Sequence, residues 1–261
     1  MYKIDYNSYR AIQSFNRRVR FLVMHYTAVN FETSIALLTG PLVSAHYLVP
    51  DPSEKTYLEA GFKDIRIFNL VDENERAWHA GVSSWGEHNN LNDTSIGIEI
   101  VNLATTENEV FTFPPYNPTQ IDAIKELALN ILQRYPDITP TNVVGHSDIA
   151  IGRKNDPGAA FPWKQLYEAG IGAWYDDELK NCYQKEFCNY TCLEKAKKQV
   201  VAKLKQYGYD TSTAKTQCGY KNLIRAFQLH FRQENYNGIL DAETTAIIYA
   251  LVDKYFPTAV V

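Results

Sequence analysis

The segment Ser95-Ile96-Gly97-Ile98-Glu99-Ile100-Val101 constrains the fold more than any other part of the chain. Its near-continuous apolar run suits a strand buried on both faces of a sheet, as occurs where helices cover both sides. Glu99 interrupts that run, and an unpaired carboxylate buried there is expensive. From the residues alone two explanations stay open: a structural ion pair, or a group that does acid–base work.

The flanking sequence supports a layered architecture. Arg20 to Tyr26 predicts another strand, Ser44 to Val49 a third closed by Pro50, Ile65 to Leu70 a fourth, and Asn142 to His146 a short fifth. Thr33 to Leu38 predicts a short helix stopped at Gly40-Pro41. A longer helix follows, with Thr119 as N-cap and Ile121, Ile124, Leu127, Ala128 and Ile131 on one stripe. Tyr135-Pro136 ends it. Strands and helices alternate up to about Trp174, which predicts an α/β domain with a mixed central β-sheet flanked by helices.

The rest of the chain has another character. Tyr175 to Leu193 is polar and carries cysteines, as a linker would. Three helical patterns follow. The first runs from Glu194 to Tyr207, the second carries Leu223, Ile224, Phe227 and Phe231, and the third starts at the cap Asp241. Together they predict a small C-terminal three-helix bundle. The expected organisation is therefore 1–175, a linker over 176–194, and the bundle over 195–261. All four cysteines, Cys182, Cys188, Cys192 and Cys218, lie in or near the linker. An even set beside a bundle with little core fits two disulfides and an oxidising compartment, with the pairing open. Four plain thiols are the alternative, and the spacings match no usual zinc knuckle.

Some functions are excluded. A net charge of −4 argues against a nucleic-acid partner. No apolar run approaches the roughly 20 residues that span a bilayer. The opening Met1-Tyr2-Lys3-Ile4-Asp5 lacks the basic-then-apolar pattern of a leader, which leaves a cytoplasmic protein or a removed leader.

Three metal-ligating residues fall at the ends of predicted elements. His25 and His146 end strands, and Asp156 lies in the turn-rich Arg153-Lys154-Asn155-Asp156-Pro157-Gly158. Two imidazoles and one carboxylate suit a catalytic zinc with its fourth position left for water. Spacing alone also allows ordinary structural histidines. Lys154, two residues before Asp156, could serve a developing oxyanion or simply face solvent.

Five segments in order add a resemblance. They are Val23-Met24-His25-Tyr26-Thr27-Ala28, Val43 to Val49, Arg76-Ala77-Trp78-His79-Ala80-Gly81-Val82-Ser83, Asn92 to Glu99, and Gly145-His146-Ser147-Asp148-Ile149-Ala150 with Arg153 to Gly158. This pattern resembles the zinc amidases that include bacterial N-acetylmuramoyl-L-alanine amidases, phage lysozyme-type amidases and animal peptidoglycan recognition proteins. The resemblance implies one Zn2+ per chain on His25, His146 and Asp156, with Glu99 and Lys154 as the catalytic pair. It places Trp78 and His79 near the substrate groove. Peptidoglycan and muropeptides, including anhydro-muropeptides, become the implied substrates, and a periplasmic, envelope-associated monomer the expected form. Some family members only bind peptidoglycan, but those usually lack a zinc ligand. A lysin acting on other bacteria fits the same motifs.

Of the other histidines, His46 is expected to be structural, His88 exposed and His230 a core residue. Asp148 suits either a turn cap or a group that orients a ligand histidine.

The C-terminal segment is similar to the three-helix peptidoglycan-binding domain of wall hydrolases. The match lies in Tyr207-Gly208-Tyr209-Asp210, Ile224 to Arg232, and Asn237 to Thr244, and departs at Cys218. It implies that the bundle adds affinity and no chemistry. A chain ending after about Trp174 is then expected to keep cleaving small muropeptides.

Overall fold

The computed structural model describes residues 2–108, 110–187 and 193–257. In chain order the elements are β1 (Phe21–Tyr26), α1 (Phe31–Leu38), β2 (Tyr47–Val49), α2 (Lys55–Glu59), β3 (Phe68–Asn69), β4 (Ser84–Trp85), β5 (His88–Asn89) and β6 (Ser95–Ile100). Next come β7 (Thr105–Glu107), β8 (Val110–Thr112), α3 (Pro118–Arg134), β9 (Val143–Gly145), α4 (His146–Ile149) and α5 (Trp163–Glu168). The chain closes with α6 (Asp177–Phe187), α7 (Leu193–Tyr207), α8 (Gln217–Phe231) and α9 (Ala242–Tyr255).

The sheet is mixed, in the order β3-β2-β6-β1-β9, with β6 at its centre. Strands β2, β6, β1 and β9 run parallel, and only β3 is antiparallel to its neighbour. The central place of β6 explains its apolar run, since Ile96, Ile98 and Ile100 are all fully buried. Helix α3 covers the sheet with Ile121, Ile124, Leu127, Ala128 and Ile131, the expected stripe. Each fully buried Ile or Leu contributes about 1.5–3 kcal/mol. Its N-cap is Asn117, which accepts the Thr119 N–H, with Pro118 in the first turn. The cap thus lies two residues earlier than the sequence suggests. Buried Gln120 donates to the Val49 and Val101 carbonyls and ties α3 to the ends of β2 and β6.

The three C-terminal helices form where the sequence predicts them. The segment expected as a linker differs, because α6 occupies most of it and packs on α9. Tyr183 hydrogen-bonds Asp253, and Lys180 pairs with Glu243 at 3.6 Å. Nor is the bundle set apart from the sheet. One apolar core runs from Phe21, Val144, Trp163 and Trp174 into Leu204, Leu223, Phe227, Phe231 and Leu251. Gly208 closes the seam, since a Cβ there would come within 2.6 Å of the Trp85 ring.

The expected pair of disulfides needs correction. Cys182 and Cys218 carry free, exposed thiols. They lie in separate surface depressions, one beside Trp174 and Tyr175 and the other beside Gly152 and Asn222, so the fold does not bring them together. Cys188 and Cys192 lie outside the described residues.

Candidate metal centre

The site sits at the carboxyl ends of the parallel strands, where open α/β sheets place their ligands. His25 lies near the end of β1. His146 follows β9 directly and opens α4. Met24 and Gly145 are register partners, so the two histidines emerge side by side. Asp156 reaches them from the loop after α4, which the Ser147 N–H holds through the Asp156 carbonyl at 2.8 Å. The His25 and His146 Nδ1 atoms are 3.0 Å apart. Asp156 Oδ2 lies 3.0 Å from the first and 2.9 Å from the second. All three side chains are buried.

The hydrogen bonds behind the histidines fix their tautomers. His146 Nε2 donates to the Ala80 carbonyl at 3.0 Å, so in the neutral ring Nδ1 is the bare nitrogen. The argument for His25 runs through two neighbours. Ser95 Oγ donates to the Leu91 carbonyl at 2.5 Å and therefore accepts from His79 Nε2 at 3.1 Å. That leaves His79 Nδ1 as the acceptor of the His25 Nε2 proton at 2.9 Å, and His25 Nδ1 is bare as well. Burial, aided by His146, pushes the His25 pKa down to about 4 against the opposing pull of Asp156, so the ring is neutral near pH 7. Burial opposes ionisation of Asp156, but the two histidines hold its carboxyl well below the ordinary range. With both rings neutral, three lone pairs converge, a repulsive arrangement that a cation between them would relieve. The residues fit a divalent metal, and their donor set suits zinc.

A cavity of about 160 Å³ adjoins these atoms. Glu99, in register with His25 on the neighbouring strand, lines it with Lys154, Tyr26 and Trp78. Among the described residues Glu99 has no ion pair, and its Oε2 is buried without a hydrogen-bond partner. Burial raises the Glu99 pKa well above the ordinary carboxylate range; Asp156 adds to the effect and Lys154 opposes it. Lys154 and Trp78 are exposed at the rim. His79, expected at the groove, lines the same cavity, though it is only 8% exposed and has both ring nitrogens occupied. It stands behind His25, against Gly97, where a Cβ would lie 2.5 Å from the ring. His46 is structural as expected, accepting the Gly97 N–H at 3.0 Å. His88 is half-buried, not exposed, because it packs edge-on against Phe21.

Asp148 links the site to the C-terminal helices. It is fully buried and caps the turn by accepting the Gly145 N–H at 2.7 Å, just before His146. Its other partners come from the bundle: the Tyr209 hydroxyl at 2.7 Å and His230 Nδ1 at 2.7 Å. His230 in turn stacks on Trp163 with centroids 3.8 Å apart. The core role expected of His230 is therefore joined to a polar one. Ending the chain after Trp174 would strip both donors from Asp148. It would also uncover the apolar seam. We expect the truncated chain to lose its folded state, with no cooperative thermal transition where the full chain shows one. This reverses the expectation from sequence; a truncation that melts cooperatively and still cuts small muropeptides would restore it.

Sequence reasoning missed several of these residues. Ser95 and Asn92 lie inside a quoted motif, but only the fold shows Ser95 behind His79 and Asn92 holding the His79 and Ala80 N–H groups. Arg153 adjoins Lys154 and donates to the Ala80 and Val82 carbonyls, each at 2.7 Å. Nothing in the sequence signals the pairing of Tyr209 with Asp148.

The sheet, the ligand triad and the carboxylate beside it define a hydrolase of the N-acetylmuramoyl-L-alanine amidase family, which matches residues 15–159; the chain belongs to that family. Over 255 residues it is 44% identical to the N-acetylmuramoyl-L-alanine amidase AmiD of Escherichia coli (strain K12), covering 97% of this chain and 89% of that protein. The crystal structure of AmpDH3 from Pseudomonas aeruginosa in complex with anhydromuramic pentapeptide matches with a TM-score of 0.92 and 56% identity, covering 98% of this chain and 99% of that one. The complex of E. coli AmiD with the substrate anhydro-N-acetylmuramic acid-L-Ala-D-γ-Glu-L-Lys gives a TM-score of 0.85 at 43% identity, covering 98% of each chain.

Proposed function

We propose that this chain hydrolyses the amide bond between N-acetylmuramic acid and L-alanine in peptidoglycan and muropeptides, anhydro ends included, with one zinc ion on His25, His146 and Asp156. The observation that carries the reading is the convergence of three candidate ligand atoms beside an unpaired Glu99 whose Oε2 is buried. Zinc bound there supplies Lewis acidity for the lactyl carbonyl and for the attacking water. Glu99 takes the proton of that water and delivers it to the departing L-alanine nitrogen. Lys154 places an ammonium at the rim, where it stabilises negative charge on the carbonyl oxygen. Trp78 offers a ring face to the substrate, and His79 orients His25.

In this reading residues 1–175 carry catalysis, 176–194 join the parts, and 195–261 hold the wall polymer. The protein works as a monomer in the periplasmic part of the cell envelope. The stem it meets resembles that in the AmiD complex, where D-Glu is linked through its γ-carboxyl. The test is digestion of purified sacculi and of an anhydro-muropeptide by the zinc-loaded full chain. Mass spectrometry should find free stem peptides with N-terminal L-alanine and glycan without peptide. Products cut only within the glycan, or no products, would overturn the proposal.

A further inference from the structure

We infer that the C-terminal helices supply a carboxylate-binding subsite to the substrate groove, centred on Arg225 of α8; the inference rests on the amidase reading. A depression of about 250 Å³ lies between the loop before Asp156, the β7–β8 hairpin and α8. Lys154, Asn155, Asn222, Arg225 and Phe111 line it. Lys154 also lines the cavity that holds Glu99 and Asp156, so the two spaces meet at that residue.

The helix is built to face this space. Cys218, Asn222, Arg225 and Leu229 recur at helical spacing and share one side of α8. The opposite side, with Leu223, Ile224 and Phe227, is buried in the core. Asn222 seats the helix on the catalytic loop, since a Cβ at Gly152 would lie 2.6 Å from its Nδ2.

Arg225 is held and left without a charge partner. Its guanidinium lies over the Phe111 ring, 5.1 Å from the centroid. Phe111 stacks on Phe113 with centroids 5.9 Å apart, and Tyr236 packs against both. Stacking fixes the plane of a guanidinium and leaves its N–H edge free for a carboxylate fork. Other arginines use theirs structurally: Arg134 clamps Glu73, and Arg232 pairs with Asp241 and Glu243. Among the described residues no carboxylate pairs with Arg225, and its Nε is buried without a hydrogen-bond partner. With the Lys154 ammonium and two side-chain amides nearby, the depression is suited to an anion with planar oxygens.

The substrate carries one. A γ-linked D-Glu keeps its α-carboxylate free, one residue beyond the L-alanine of the scissile bond. Two extended residues span at most roughly 7 Å, so this carboxylate stays close to the scissile bond. The carboxylate at the end of the stem has the same chemistry and lies farther out.

Steady-state kinetics of the zinc-loaded full chain test the proposal. The substrates are a muramoyl tripeptide with γ-D-Glu, its γ-D-isoglutamine counterpart, and the same tripeptide with a C-terminal amide. Arg225→Ala should raise KM for the γ-D-Glu substrate about tenfold, the scale of a hydrogen bond to a charged group, and change kcat little. Its KM for the isoglutamine substrate should stay near that of the wild type, and Arg225→Lys should recover part of the loss. Discrimination by the C-terminal amide instead would keep the subsite and assign it to the stem end. An equal KM rise on all three substrates would make Arg225 a support for Phe111 only and overturn the proposal, as would no change. If the wild type cuts all three alike, the subsite fails while the amidase reading stands. If it cuts none, both fall.

Discussion

Glu99→Ala will keep its metal and lose roughly 10²- to 10⁴-fold in turnover, the contribution of a well-placed general base. The residue lies on the central strand, in register with His25, and reaches the cavity beside His25, His146 and Asp156. A structural role would require a cation to neutralise it, and among the described residues none pairs with it. The fold therefore bears an unpaired carboxylate that a well-packed neutral side chain would relieve. This gives the prediction a second side. Glu99→Gln should be as inactive as Glu99→Ala yet melt no lower than the wild type. For the metal-free protein the sign follows from the raised pKa. Ionising Glu99 costs stability as pH rises from the ordinary carboxylate range through the raised value, and Glu99→Gln removes that loss. Elemental analysis, turnover on a muropeptide and thermal melts across pH supply the readouts. A Glu99→Ala enzyme working at the wild-type rate would show that the proton passes elsewhere.

His146→Ala should remove the metal and reduce turnover to background. Losing a partner behind a ligand costs about 10–100-fold in metal affinity or activity, and losing the ligand itself costs more. The position is well defined because three constraints meet there. Gly145 pairs with Met24 in the sheet, Asp148 caps the turn, and the Ala80 carbonyl fixes Nε2. Zinc content should fall from one ion per chain to near zero, while the far-ultraviolet circular dichroism stays that of the wild type. Stoichiometric zinc in His146→Ala would mean that the ion sits elsewhere.

Much of this architecture was legible in the sequence, for physical reasons that differ by element. Strand β6 announced itself because burial on both faces leaves a run of isoleucines with no polar relief except Glu99. Helix α3 showed its stripe because only one face meets the sheet. The ligand set came from ordered motifs, and the fold brings its three atoms together. What stayed hidden depends on contacts between distant parts of the chain. Helix α6 is polar because one side faces water, and so it passed for a linker. His79 carried a motif that suggested a place at the groove, and it lines the cavity there, but only the fold shows that Gly97 leaves room for its ring behind His25. The bonds from Tyr209 and His230 to Asp148 span more than sixty positions and leave no local trace.

Those two bonds bear on how such an enzyme would work at a surface. A binding module on a loose tether samples a sphere, and its gain is an effective concentration set by tether length. Here the helices that would grip the polymer share a core and a buried carboxylate with the turn that carries His146. Gripping and cutting are then coupled like the handle and blade of one tool. A stem would be cut only where the helical pitch of the glycan strand presents it at the matching distance and rotation, so cleavage by a bound molecule would follow the period of the polymer.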